Sequence, residues 1–312
     1  MALRTERSFG SLIALLRQTQ NSFRPMVRLP PEILGEIFQY ACSWCFRCHL
    51  AQRWTGLKEV LQSLCKVLHV CCHWRIVAHG VPALWNCLDN SYPLAEHFFL
   101  ERSRTGDLAV RIRIGESNED GDFEHFFKSH SLRLRELHMW IGYEEVSPDF
   151  CIKPIRLRRL NLSTRFTRST PSFATMLFTA CSSSLEQMQL EGLDGIPHHR
   201  FDNLTYLQLV FVRASVPEFL ELLSNCPNLT DLQLFHPKIR EGSANDDYVL
   251  SLPNLRRLRI KIGRSVLAAS LISKIPLSTS RRAQFLEFGT PVQFVDLKYQ
   301  GDGDAEQMPS IM

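Results

Sequence analysis

A six-residue pattern, Leu-x-x-Leu-x-Leu, recurs along most of the chain and constrains its fold more than any other feature. Clear copies are Leu134/Leu137/Met139, Leu157/Leu160/Leu162, Leu185/Met188/Leu190, Leu204/Leu207/Leu209, Leu229/Leu232/Leu234 and Leu255/Leu258/Ile260. Their starts are separated by 23, 28, 19, 25 and 26 residues. Weaker copies, Ala109/Ile112/Ile114 and Ala283/Leu286/Phe288, flank the series. A unit this short cannot bury its own apolar edge, so successive units must stack and share one continuous core. Alternate residues of a strand face opposite sides, so the fourth and sixth positions point inward together. The segments that return the chain are long enough for helices at Ser172–Cys181, Val216–Cys226 and Arg264–Ile275. Strands alternating with helices predict an α/β fold, a right-handed solenoid with a parallel sheet over residues 105–290.

The third, fifth and seventh positions of each unit then face outward. The fifth reads His138, Asn161, Gln189, Gln208, Gln233, Arg259 along the stack, and the last clear unit supplies Arg257, Arg259 and Lys261. Tyrosine, tryptophan and arginine are the residues that anchor interfaces. The candidate target-binding set on this concave face is therefore His138, Trp140, Gln189, Tyr206, Gln208, Gln233, Phe235, Arg257 and Arg259. An extended polar segment with an acidic end would suit it.

The region before the repeats reads differently. Residues 1–28 are polar and basic around a short apolar run, Leu12, Ile13, Leu15 and Leu16. At 29–88 comes LPPEILGEIFQYAC, where Pro30, Pro31 and Glu32 suit a helix start. Ile33, Leu34, Ile37, Phe38 and Ala41 follow on one broad helical face. Leu57, Val60, Leu61 and Leu64 make a second stripe, and Leu68, Val70, Trp74, Val77 and Ala78 a third, ended by Gly80 and Pro82. Three short helices in about 60 residues predict a small bundle.

The two motifs LPPEILGEIF and VCCHWRIVAHGVPALW, in that order and followed by leucine-rich repeats, resemble the F-box family, specifically its fungal type. The resemblance covers residues 29–88 by motif and 105–290 by architecture. It implies a non-enzymatic adaptor that binds the Skp adaptor of a Skp–cullin–RING ubiquitin ligase through the helical module and a target protein through the repeats. Carried over residue by residue, the Skp-binding set is Leu29, Pro30, Ile33, Leu34 and Ile37, with Val70, Cys71 and Trp74. Cullin and RING subunits would join through Skp. The stretch ACSWCFRCHLAQRW, rich in cysteine and tryptophan, departs from the family's pattern and bears on docking strength.

Cys42, Cys45, Cys48 and His49 have CxxCxxCH spacing, with Cys65, Cys71, Cys72 and His73 downstream. Zinc could use such donors, but strong zinc patterns pair two knuckles at defined spacing and here the second is CC. The ten cysteines are read as reduced thiols, and neither metal nor cofactor is expected. No GxSxG, HExxH, GxxxxGK[ST] or GxGxxG occurs, and His198–His199 has no nucleophile nearby. Net charge +4 is too mild for a nucleic-acid stripe, so no nucleic acid is expected; the rival reading assigns that role to Arg257–Lys261. A repeat-type binding protein outside ubiquitin ligation, with the helical module as a cap, is the other alternative. No apolar run approaches the ~20 residues of a membrane span, and no export signal is evident, which predicts a cytoplasmic or nuclear protein. The acidic loops 116–122 and 242–247 are expected to be mobile, and the tail 291–312 partly disordered.

Overall fold

The computed structural model describes residues 12–13, 15–17, 19–20, 23–42, 57–114, 123–142, 154–164, 172–240, 250–262 and 282–287. The two acidic loops, the returning segment 264–275 and the tail lie outside these residues. The protein is α/β with a large parallel sheet, and the chain divides into two compact units, Met1–Ile112 and Arg113–Met312.

In the first unit, helix α1 spans Pro31–Cys42, α2 Leu57–Leu68 and α3 Cys72–Gly80. Proline enters α1 where the backbone N–H has no partner to lose, and Glu32 sits in its first turn. Leu34, Phe38 and Cys42, four apart, are its buried stripe. Gly35 is buried with them, where an added Cβ would lie 3.1 Å from Val81 Cγ2. Helix α2 buries Val60, Leu64 and Val67. The chain then turns at His69 and Val70, and the Cys71 thiol caps α3 by accepting from the Trp74 N–H at 3.5 Å. The Phe38 and Trp74 rings meet at 4.9 Å, tying α3 to α1.

After α3 a tight turn, Pro82–Trp85, drives Trp85 into the interior, where its indole N–H donates to the Ala78 carbonyl at 2.9 Å. Strand β1 (Cys87–Asp89) pairs in parallel with β2 (Leu108–Ile114). Between them runs α4, Pro93–Ser103, a helix the sequence pattern does not announce. Its Phe98 and Phe99 meet the Trp85 ring edge-on, and Arg102 lies over Phe98 and Trp85 at 3.3 and 5.3 Å.

The second unit holds α5 (Phe123–His130), β3 (Leu134–Ile141), β4 (Arg159–Thr164), α6 (Ser172–Cys181), β5 (Gln187–Glu191) and β6 (Tyr206–Val210). It continues with β7 (Arg213–Ser215), α7 (Val216–Ser224), β8 (Asp231–Phe235), β9 (Lys238–Arg240), β10 (Arg257–Ile262) and β11 (Arg282–Glu287). Its strands pair in parallel in the order β3-β4-β5-β6-β8-β10-β11, and β7 pairs with β9. The register aligns the repeats residue for residue. Leu137, Leu160, Met188, Leu207, Leu232 and Leu258 form one row, and Met139, Leu162, Leu190, Leu209, Leu234 and Ile260 the next. All twelve are buried.

The last degenerate copy corrects the sequence reading. Leu258 pairs with Ala283 and Ile260 with Phe285, so Ala283 holds the fourth position rather than the first, and Phe285 the sixth. Ladder hydrogen bonds set the register, and matching on leucine count placed it three residues late.

Helix α6 matches its expected range. Helix α7 stops at Ser224 and begins with a capping box, in which the Ser215 N–H donates to Glu218 Oε2 at 2.6 Å and the Glu218 N–H donates to Ser215 Oγ at 3.4 Å. Asparagine precedes the first leucine in three units and bridges to the unit before. Asn228 Nδ2 donates to the Asp202 carbonyl at 2.8 Å, Asn254 Nδ2 to the Pro227 carbonyl at 3.2 Å, and Asn203 Nδ2 to the Ser183 carbonyl. These amides pair turn carbonyls that stacking would otherwise strand.

Just past β5, β6 and β8 the backbone turns left-handed at Gly192, Phe211 and His236, with φ of 71°, 53° and 50°. Their N–H groups donate onward to the carbonyls of Val210, Phe235 and Lys261. At Gly192 a Cβ would collide with the Thr164 carbonyl oxygen. Replacing Gly192 with alanine is expected to cost at least about 2 kcal/mol, the left-handed penalty plus the collision. The check is a lower urea midpoint at unchanged slope.

Candidate functional site

Two surfaces carry the residues singled out by sequence, one in each unit. In the first, helical spacing sorts the apolar residues of α1 onto two faces. Leu34 is 0% exposed and belongs to the bundle's own core, so its assignment to the Skp-binding set is corrected. Ile33, one residue earlier, is 50% exposed; Ile37 is also exposed and Tyr40 reaches 80%. Pro30 is exposed and Leu29 half-buried. Val70 is exposed in the turn before α3, Cys71 caps that helix, and Trp74 is half-buried. The Trp74 indole N–H has no acceptor among the described residues. Sequence reasoning missed Ile76, 71% exposed, and Tyr40. Monomeric proteins seldom leave large apolar side chains together in water without a partner.

In the second unit the outward positions form three rows. The third-position row runs Glu136, Arg159, Gln187, Tyr206, Asp231, Arg257. The fifth runs His138, Asn161, Gln189, Gln208, Gln233, Arg259, and the seventh Trp140, Ser163, Glu191, Val210, Phe235, Lys261. At the β3 end, Glu136 is bound from both sides, by His138 Nε2 at 2.9 Å and Arg159 Nη1 at 3.2 Å. Burial pushes the Glu136 carboxyl up, but the hydrogen bond and charge of His138, with those of Arg159, outweigh it and leave the carboxyl below its ordinary 4.5. A lowered folded value means stability present above the unfolded value and lost as pH falls through the folded one. Glu136→Gln is therefore expected to reduce stability at neutral pH and to shallow the loss of stability below about pH 4.5. Urea midpoints measured across the acid range check this.

At the β10 end the balance is different. Buried Asp231 is paired by Arg257 Nη2 at 2.9 Å and accepts from Gln233 Nε2 at 3.4 Å. Arg259 forms no ion pair among the described residues. The Tyr206 hydroxyl donates to Gln208 Oε1 at 2.8 Å; burial first, then the Asp231 charge, pushes it up to about 12. It stays a donor at any physiological pH. Gln208 and Gln233, expected to touch a target, are buried in the floor of this face, crowded by their neighbours and occupied with them. Their place in the target-binding set is corrected. His138, Trp140, Gln189, Tyr206, Phe235 and Arg259 are half-buried, and Arg257 is exposed. Mid-face, Asn161 Oδ1 and Gln187 Oε1 are acceptors with no partner among the described residues.

Comparison with family models, curated proteins and solved structures returned no match. What these surfaces do rests on their own chemistry. Among the described residues no three histidine, cysteine or acidic side chains gather as a metal site would require; Cys45, Cys48 and His49 lie outside those residues. Cys65 and Cys72 are exposed, whereas Cys181 and Cys226 are buried and burial pushes both thiols up to about 12, which makes them inert packing groups. His198 Nδ1 lies 3.1 Å from Glu221 and His199 Nε2 2.8 Å from the Thr179 hydroxyl, which also donates to the Thr175 carbonyl at 2.8 Å. No helix among the described residues is long and apolar enough to cross a membrane.

Proposed function

We propose that this chain is a non-enzymatic substrate-recognition adaptor of a Skp–cullin–F-box ubiquitin ligase, acting in the cytoplasm or nucleus. In this reading the helical module is an F-box that docks the Skp adaptor, and through it cullin and RING subunits. The second unit is a leucine-rich-repeat solenoid that presents its polar sheet face to a target protein. Any ubiquitin transfer belongs to the partners in this reading.

The observation that carries the proposal is the division of α1. Behind Leu29-Pro30, one stripe of the helix closes the bundle while Ile33 and Ile37, which the F-box resemblance assigns to docking, stay partly open to solvent. A core residue is satisfied by its own fold; an exposed isoleucine pair gains only from a second protein. The sheet face supports the other half, since it sets tyrosine, tryptophan and arginine side chains on a rigid stack of strands, the arrangement that hot spots favour.

Expressed with an affinity tag in cells, the chain is expected to co-purify with Skp and a cullin, identified by mass spectrometry. Capture of other partners with Skp consistently absent removes the proposal.

A further inference from the structure

The repeats serve as their own control, and the comparison turns on the left-handed residue that ends three consecutive strands. Gly192 fills it after β5, as backbone sterics favour; Phe211 and His236 fill it after β6 and β8. Histidine is tolerated there better than most residues, but phenylalanine is a poor choice, so the Phe211 side chain, not the turn, accounts for its presence. The two rings stack on each other, centroids 5.2 Å apart and planes at 14°, yet Phe211 remains 43% exposed. Half-buried Phe235 precedes His236 in sequence, and the His236 N–H donates to the Lys261 carbonyl. Lys261 is in register with Phe235, and Arg259 with Gln233. An aromatic ledge therefore lies beside β10, where Arg257 pairs with buried Asp231 and half-buried Arg259 forms no ion pair among the described residues.

We propose that this corner is the anchor point for an acidic linear segment of a partner protein. One aromatic side chain of that segment packs on the Phe211–His236 stack, and a flanking carboxylate pairs with Arg259. The charge decides the class. At the opposite end of the sheet Arg159 and His138 are already engaged by Glu136, so that end offers an anion much less. The inference rests on the target-binding half of the adaptor reading and names the chemistry recognised there.

The test uses the full chain and three dye-labelled peptides, of alternating glutamate and tyrosine, glutamate and serine, and lysine and tyrosine, titrated by fluorescence anisotropy. The glutamate–tyrosine peptide is expected to bind tightest, by about tenfold over either control, with affinity falling as salt rises. Phe211→Gly with His236→Gly is expected to weaken it about tenfold while thermal stability holds or rises, because glycine relieves the turn. Arg259→Glu is expected to weaken it at least as much. Equal binding of all three peptides, no binding of the first, or full binding by these variants overturns the proposal. Since none of these residues lies in the helical module, Skp capture scored on the same preparations separates the two readings: intact capture with failed peptide binding removes only this one.

Discussion

Ile33→Glu combined with Ile37→Glu is expected to abolish Skp capture while the chain folds as before. Ile33 is 50% and Ile37 38% exposed, so a carboxylate at either position still reaches water in the isolated protein, and the change is expected to shift stability by about 1 kcal/mol or less. In the proposed complex the same positions are desolvated, and an unpaired charge buried at an interface centre costs several kcal/mol, enough to lower affinity beyond detection in a pull-down. The neighbouring core position gives the control. Leu34→Ala removes a fully buried side chain and is expected to lower stability by about 2–5 kcal/mol, with capture lost only as far as the module unfolds. Thermal melts and pull-downs on the same preparations separate the two outcomes. Loss of folding in the glutamate variant would show that the isoleucines serve the bundle instead.

Trp85→Ala is expected to lower the stability of the first unit by about 3–5 kcal/mol. Trp85 is fully buried, donates to the Ala78 carbonyl, stacks on His79 with centroids 5.3 Å apart, and meets Phe98 and Phe99 edge-on. Alanine leaves a cavity among these rings and strips the Arg102 guanidinium of one aromatic face. It also removes the indole donor to Ala78. Trp85→Phe keeps most of the volume and is expected to recover more than half of the loss, while still lacking the hydrogen bond. Denaturant unfolding followed in the far ultraviolet measures both. An alanine variant as stable as the parent would mean that the Pro82–Trp85 turn does not organise this unit.

The repeat strands were legible in the leucines because burial on one side of a strand forces period two, and stacking forces each unit to repeat it. That physics set the parallel pairing and the row in which every inward leucine lies. It could not fix the last copy, since Ala283 and Phe285 are a weak match to the template and only the ladder hydrogen bonds reveal their register. Helix α4 escaped notice because its apolar residues make no clean stripe: adjacent Phe98 and Phe99 meet the same tryptophan, one exposed and the other buried. On α1 the run Ile33, Leu34, Ile37, Phe38 spans too broad an arc for periodicity to divide core from surface; packing against α2 and α3 makes that division. Gln208 and Gln233 face outward as alternation demands, yet their neighbours cover them, and crowding on a sheet face is not written in any one strand. The left-handed turns at Phe211 and His236 were equally hidden, because glycine, the usual signal, stands only at the matching position 192.

The central claim is that the helical module is a docking element for Skp, and mixing the two purified proteins tests it most directly. Titrated in a calorimeter, with the mixture then run on a sizing column, the chain and a Skp adaptor are expected to form a one-to-one complex with Kd below about 1 μM and a negative heat-capacity change from buried apolar surface. Two separate peaks and no heat of binding, from a chain shown to be folded, would contradict it.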